Sequence, residues 1–109
     1  MWFVFPQLKG LGLSSTSQFY GLDSLEEARL YLDHELLGPR LLECTSALLD
    51  HRGVSPEAIL GPIDAMKLRS SMTLFDSAGG EVALFGRCLN LFFGDERDSV
   101  TLQLLQRAV

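Results

Sequence analysis

Asp64, Lys67 and Ser71 interrupt the otherwise apolar-patterned stretch Ile63-Asp64-Ala65-Met66-Lys67-Leu68-Arg69-Ser70-Ser71-Met72-Thr73-Leu74-Phe75. At about 100° per residue the three fall on one strip of a helix. An acid, a base and a hydroxyl so placed can do chemistry. Lys67 would serve as an anion binder or as a base with a lowered pKa, and Ser71 as a hydrogen-bond donor or nucleophile. The simpler reading is an i, i+3 ion pair plus a serine that lets helices approach closely. A Ser-Lys hydrolase would also need an oxyanion hole, and no feature of the sequence identifies one.

The remaining polar candidates are more scattered. Arg69, with Ser70 and Thr73, offers a fork of donors for a phosphate or carboxylate; solvation, with a pairing to Asp76, is the plainer alternative. His34 lies near a helix end between Asp33 and Glu35, suited to capping or to proton transfer. His51 is too distant in sequence to imply a joint site. Gln7 and Lys9 follow the aromatic run Trp2-Phe3-Val4-Phe5, where they would line a pocket mouth or satisfy backbone groups beside Pro6. Gly10 and Gly12 lack the third glycine and preceding strand of a dinucleotide fingerprint, so they read as a loop. Cys44 and Cys88 match no metal-ligand spacing; on apolar helical faces they read as reduced core thiols of a cytosolic protein.

These residues need helices to position them. Ser24 and Glu27 form a capping box ahead of Leu25, Ala28, Leu32 and Leu36, with Leu22 as its apolar staple. Gly38-Pro39 divides this helix from a second one carrying Leu41, Cys44, Thr45 and Leu48, which is expected to include His51 and Arg52 in its last turn before Gly53. Ser55-Pro56-Glu57 starts a short helix that Gly61-Pro62 cuts near Leu60. Pro62 reopens the chain into the Asp64–Phe75 helix, expected to reach about Ala78. Within it, Leu68, Met72 and Phe75 share a core face with Ala65, and Ile63 and Leu74 form a second apolar strip. Met66, Arg69, Ser70, Thr73 and Asp76 are expected to face solvent or a partner. From Glu81, Val82, Phe85, Cys88, Leu89, Phe92 and Phe93 define another apolar face, closed by Gly94. Asp98 or Ser99 caps a last helix.

No window alternates with period two, so the expected fold class is all-α: a compact multihelical array of short antiparallel helices, filling residues 1–109 as a single domain. Its 109 residues, 47% hydrophobic and 21% charged, are globular composition. A net charge of −5 disfavours nucleic acid and anionic membranes as partners. No run approaches the roughly 20 apolar residues that span a bilayer. Nothing calls for a metal or cofactor.

Several segments taken together resemble a known family. They are Met1-Trp2-Phe3-Val4-Phe5-Pro6-Gln7 with Lys9-Gly10-Leu11-Gly12, Phe19-Tyr20, Leu25 through Leu32 with His34, Leu37-Gly38-Pro39-Arg40-Leu41, Lys67 through Phe75, and Phe92-Phe93-Gly94. The pattern is similar to the bacterial domain-of-unknown-function family 1810, sometimes labelled calpastatin. Eukaryotic calpastatin is a long disordered inhibitor, unlike the core-forming pattern here. The resemblance implies an entirely helical fold, with packing likened to armadillo repeats, and brings no established activity. Members usually carry a helical segment ahead of the Trp-Phe-Val-Phe stretch, and Glu35 stands where they often have proline. The chain is therefore expected to be truncated at its N-terminus; Trp2, Phe3 and Phe5 then either dock into the core, the simplest reading of these aromatics, or form an exposed patch for self-association. Two functional readings follow: a non-enzymatic helical module that binds another protein, or a small enzyme or ligand-binding domain. The second would take a phosphorylated or carboxylate metabolite through Lys67, Arg69 and Ser71, with Gln7, His34 and Asp64 nearby.

Overall fold

The computed structural model describes residues 5–7, 22, 24–51, 53–79 and 83–107. Among them are six helices: α1 Leu25–Asp33, α2 Leu37–Leu49, α3 Pro56–Leu60, α4 Pro62–Ala78, α5 Leu84–Phe93 and α6 Ser99–Arg107. The all-α expectation holds, and most boundaries follow from side-chain chemistry. Ser24 Oγ accepts from Glu27 N–H at 3.2 Å and Ser55 Oγ from Ala58 N–H at 3.2 Å, each capping a helix start. Gly61, at φ +88°, separates α3 from α4 with a backbone turn that L residues resist. Gly94, at φ +59°, ends α5 in the left-handed conformation, its N–H donating to Asn90. Of the two residues proposed to cap the last helix, Asp98 does so: its Oδ2 accepts from Thr101 N–H at 2.9 Å and from Thr101 Oγ1 at 2.6 Å.

Two boundaries differ. Helix α1 ends at Asp33, short of Leu36, and Gly38-Pro39 lies inside the first turn of α2 instead of dividing the two helices. Helix α2 stops at Leu49, and His51 lies in the following turn, donating its N–H to Leu48 O at 2.9 Å. His51 therefore adds no charge to a last helical turn.

Helix α4 is the centre of the array. It packs against α1, α3, α5 and α6, while α1 and α5 also pack on α2. Leu68, Met72, Leu74 and Phe75 are almost fully buried along it. Each such side chain contributes about 1.5–3 kcal/mol relative to exposure. Phe75 joins three elements: its ring lies 5.5 Å from Tyr31 of α1 and 5.7 Å from Phe85 of α5. Burial pushes the Tyr31 phenol up, an effect opposed by Arg40 and reinforced by Cys44. Both cysteines are free, with Cys88 buried in the core cluster and Cys44 packed against it.

Expectations about exposure fail at Ser70, Thr73, Ile63 and Leu36, the last 71% exposed where an apolar helical face was expected. Ser70 and Thr73, assigned to an outer face, are buried at 7% and 0%; four neighbouring helices leave the middle of α4 no outer face. Ile63, assigned to the second apolar strip with Leu74, is 70% exposed because the first turn of α4 projects past the core. Of the two readings of the leading aromatics, Phe5 follows the core one at 5% exposure and not the exposed patch for self-association. Trp2 and Phe3 lie outside the described residues.

The α1–α2 corner is set by a close backbone approach. A Cβ built on Gly38 would collide with the Leu32 carbonyl oxygen and stand 2.8 Å from its carbonyl carbon. Gly38→Ala should therefore destabilise the protein by about 3 kcal/mol or prevent folding. Gly53→Ala, where nothing lies within 4 Å, should change stability by less than about 0.5 kcal/mol. Urea titration distinguishes the two; equal midpoints would refute the corner contact. A second expectation concerns pH. Burial pushes the Cys88 thiol from 9.0 to about 12. Between those values the unfolded chain has released a proton that the native state still holds, so stability must fall as pH rises through this window. Cys88→Ala should flatten that alkaline decline relative to wild type in urea midpoints measured across the range.

Candidate functional site

Pro62 opens α4, and Asp64 of that first turn and Lys67 of the next share one edge. Their Oδ1 and Nζ atoms lie 3.9 Å apart, with Asp64 45% and Lys67 33% exposed. A pair this open to water is worth at most about 1 kcal/mol. Ser71, the third member of the expected cluster, is fully buried, and its Oγ has no hydrogen-bond partner. The spacing thus delivers the ion pair but seals the hydroxyl in the core. A nucleophilic serine requires a base in hydrogen-bond reach, and Ser71 has none.

The other hydroxyls of α4 are spent on their own helix. Ser70 Oγ donates to Met66 O at 3.2 Å, Thr73 Oγ1 to Arg69 O at 2.8 Å, and Ser77 Oγ to Thr73 O at 2.8 Å. Back-bonding of this kind lets a polar side chain be buried without an outside partner. Thr73 does more, because its Oγ1 also accepts the N–H of Asp98 at 3.0 Å.

That contact belongs to a cluster of polar residues gathered where the α5–α6 connection crosses α4. Arg69 Nη1 lies 3.8 Å from Glu96 and Nη2 4.0 Å from Asp98, while its Nε is buried without a partner. Arg97 pairs closely with Asp76 at 2.8 Å. The proposed Arg69–Asp76 pairing is therefore replaced: Asp76 takes Arg97, and Arg69 turns to the carboxylates of the connection. A fork already facing two carboxylates sits in a field unfavourable to a further anion. Glu96, Arg97, Asp98 and Thr101 were missed as site residues. Only the Asp98-x-x-Thr101 capping pattern signals any of them, since the pairing across α4 depends on how α5 folds back.

His34 and Gln7 are committed elsewhere. His34 Nδ1 accepts the N–H groups of Leu36 and Leu37 at 3.1 and 3.2 Å, capping α2 in place of the apolar Leu36 at its N-cap. This is capping, but of the helix that follows rather than the one His34 ends. Gln7 is buried, and its backbone carbonyl accepts from Leu22 N–H at 2.8 Å. Lys9 lies outside the described residues. Among the described residues no group of three or more His, Cys, Asp or Glu side chains could hold a metal ion, and no helix is long and apolar enough to cross a membrane.

The family model described as "Protein of unknown function (DUF1810)" matches residues 1–105. The chain belongs to that family. The crystal structure of the conserved hypothetical protein Rv1873 from Mycobacterium tuberculosis is similar to this DUF1810 chain, with 50% sequence identity and a TM-score of 0.93. The match covers 96% of this chain and 75% of that one. No curated protein matches. Membership and the neighbouring structure agree on a helical fold and bring no reaction with them. Within the fold, the Lys67–Phe75 stretch by which the chain resembles its family coincides with the buried middle of α4, Ser70–Phe75.

The two kinds of hydroxyl on α4 should respond oppositely to removal. Thr73→Val strands the Asp98 N–H and should cost about 1–3 kcal/mol. Ser71→Ala deletes an unpartnered buried oxygen and should leave stability unchanged or raise it by up to about 1 kcal/mol. Thermal melts of both variants test this; a loss at Ser71 matching that at Thr73 would mean that the Ser71 hydroxyl has a partner.

Proposed function

We propose that this DUF1810 chain is a non-enzymatic helical binding module of the bacterial cytoplasm, acting as a single domain and engaging another protein. The observation that carries this reading is on α4, where Ile63 and Met66 stand one turn apart with 70% and 64% exposure. The two side chains neighbour each other on one helix face, so their apolar surface is contiguous, and contiguous apolar surface is what a protein partner can cover. It is supported by the state of the polar candidates nearby: Asp64 and Lys67 face each other, Arg69 faces Glu96 and Asp98, and His34 caps α2.

A second reading, a site for a phosphorylated or carboxylate metabolite using Lys67, Arg69 and Ser71, keeps one observation in its favour. Arg69 Nε and Ser71 Oγ are buried polar atoms without partners, and such atoms are uncommon in native proteins.

Two measurements separate the readings. A photo-crosslinking residue at Met66, in living cells, should give discrete adducts that Ile63→Glu removes while the melting temperature is kept. The same probe at exposed Gln103 should give none of them. Adducts at Met66 no stronger than at Gln103 would overturn the protein-binding reading. In a thermal-shift screen of nucleotides, sugar phosphates and dicarboxylates, no compound should produce a stabilisation that Lys67→Ala abolishes; such a compound would establish the metabolite reading instead.

A further inference from the structure

A second region has the ingredients of a small-molecule site and is independent of the α4 surface. Between α1, α2 and the end of α4 lies a cleft of about 280 Å³ lined by Arg29, Leu32, Asp33, Leu42, Ala78 and Gly79. Its volume sits at the lower edge of the roughly 300–1,000 Å³ typical of ligand pockets, so its occupant must be small.

The charged groups of the cleft are arranged in an unusual way. Arg29 and Asp33 are one turn apart on α1, the spacing at which opposite charges ordinarily pair. Instead Arg29 Nε donates to Ala78 O at 3.3 Å, at the C-terminal end of α4, where a cation is favoured by the exposed carbonyls and the helix dipole. The order of the two residues, cation before anion along the helix, is also the weaker one for pairing with each other. Among the described residues neither the terminal nitrogens of Arg29 nor the carboxylate of Asp33 has an ion-pair partner. The cleft is therefore edged by two exposed side chains, a guanidinium tethered through its Nε with two nitrogens to spare and a carboxylate on the same helix face. Leu32, Leu42 and Ala78 supply apolar walls between α1, α2 and α4.

We propose that this cleft binds a small zwitterion, namely a free α-amino acid with an apolar side chain. The guanidinium takes the ligand carboxylate as a two-nitrogen fork. Asp33 takes the ligand ammonium, and the apolar side chain lies against Leu32 and Leu42. Simpler ligands match only part of this set. A phosphate or dicarboxylate would be drawn to Arg29 but repelled by Asp33, and a simple amine would meet the reverse. A polar zwitterion would leave the leucine walls unused.

The test is a titration of the intact protein with leucine, followed by the amide resonances of Ala78 and Gly79. Leucine should shift both saturably, while N-acetyl-leucine, which lacks the ammonium, and leucinamide, which lacks the carboxylate, should each bind at least about tenfold more weakly. Glycine should also bind more weakly than leucine. Asp33→Asn and Arg29→Gln should each weaken leucine binding by about tenfold or more, with melting temperatures confirming that the fold is kept. Should Arg29→Gln fail to fold, Asp33→Asn and the blocked analogues decide the matter. The proposal is overturned if leucine leaves Ala78 and Gly79 unmoved at about 10 mM, if leucinamide or N-acetyl-leucine binds as well as leucine, or if Asp33→Asn binds leucine unchanged.

Discussion

The fold rests on the ability of serine and threonine to bond back to their own helix. Helix α4 is enclosed by four others, and six successive residues, Ser70 to Phe75, are buried. A helix in that position would ordinarily be apolar all round, yet this one carries Ser70, Ser71 and Thr73 there. Ser70 and Thr73 donate to carbonyls one turn earlier, so they enter the interior as compact groups with their polarity already satisfied. Small hydroxylated residues also leave room for neighbouring backbones. The connection into α6 uses that room, bringing the Asp98 N–H to within 3.0 Å of Thr73 Oγ1.

The same device explains how much could be read from the sequence. Helix starts at Ser24, Ser55 and Pro62 and the stop at Gly94 were legible because each depends on local chemistry. The core face of Leu68, Met72 and Phe75 followed from periodicity. The outward face of Met66 followed too, but the burial of Ser70 and Thr73 did not, because a serine that bonds its own backbone looks identical in sequence to one that faces water. Ile63 failed in the opposite direction, since its pattern fits a core strip but its position lies beyond the reach of the packed helices. Phe5 stayed open between core and surface for a similar reason: whether an aromatic at a chain start is covered depends on tertiary contacts.

Of the candidate site, spacing alone disclosed the Asp64–Lys67 pair. It could not disclose that Arg69 faces Glu96 and Asp98, which are separated from it by the whole of α5. Nor could it assign His34, whose imidazole substitutes for the missing polar N-cap at Leu36. Several charged side chains secure crossings and helix ends. Arg29 does the same by donating its Nε–H to Ala78 O at the end of α4, while Asp33 beside it in the α1–α4 cleft has no ion-pair partner among the described residues.

The contact between Gly38 and the Leu32 carbonyl has a consequence for that cleft. Leu32 belongs to α1 and Leu42 to α2, so the two apolar walls are carried by the helices that meet at this corner. Backbone against backbone leaves little room for one helix to slide on the other, because no flexible side chain lies between them to yield. The corner thus constrains how the two helices meet beside the cleft, so the backbones that carry its walls are partly organised before any guest arrives, which lowers the ordering cost of binding.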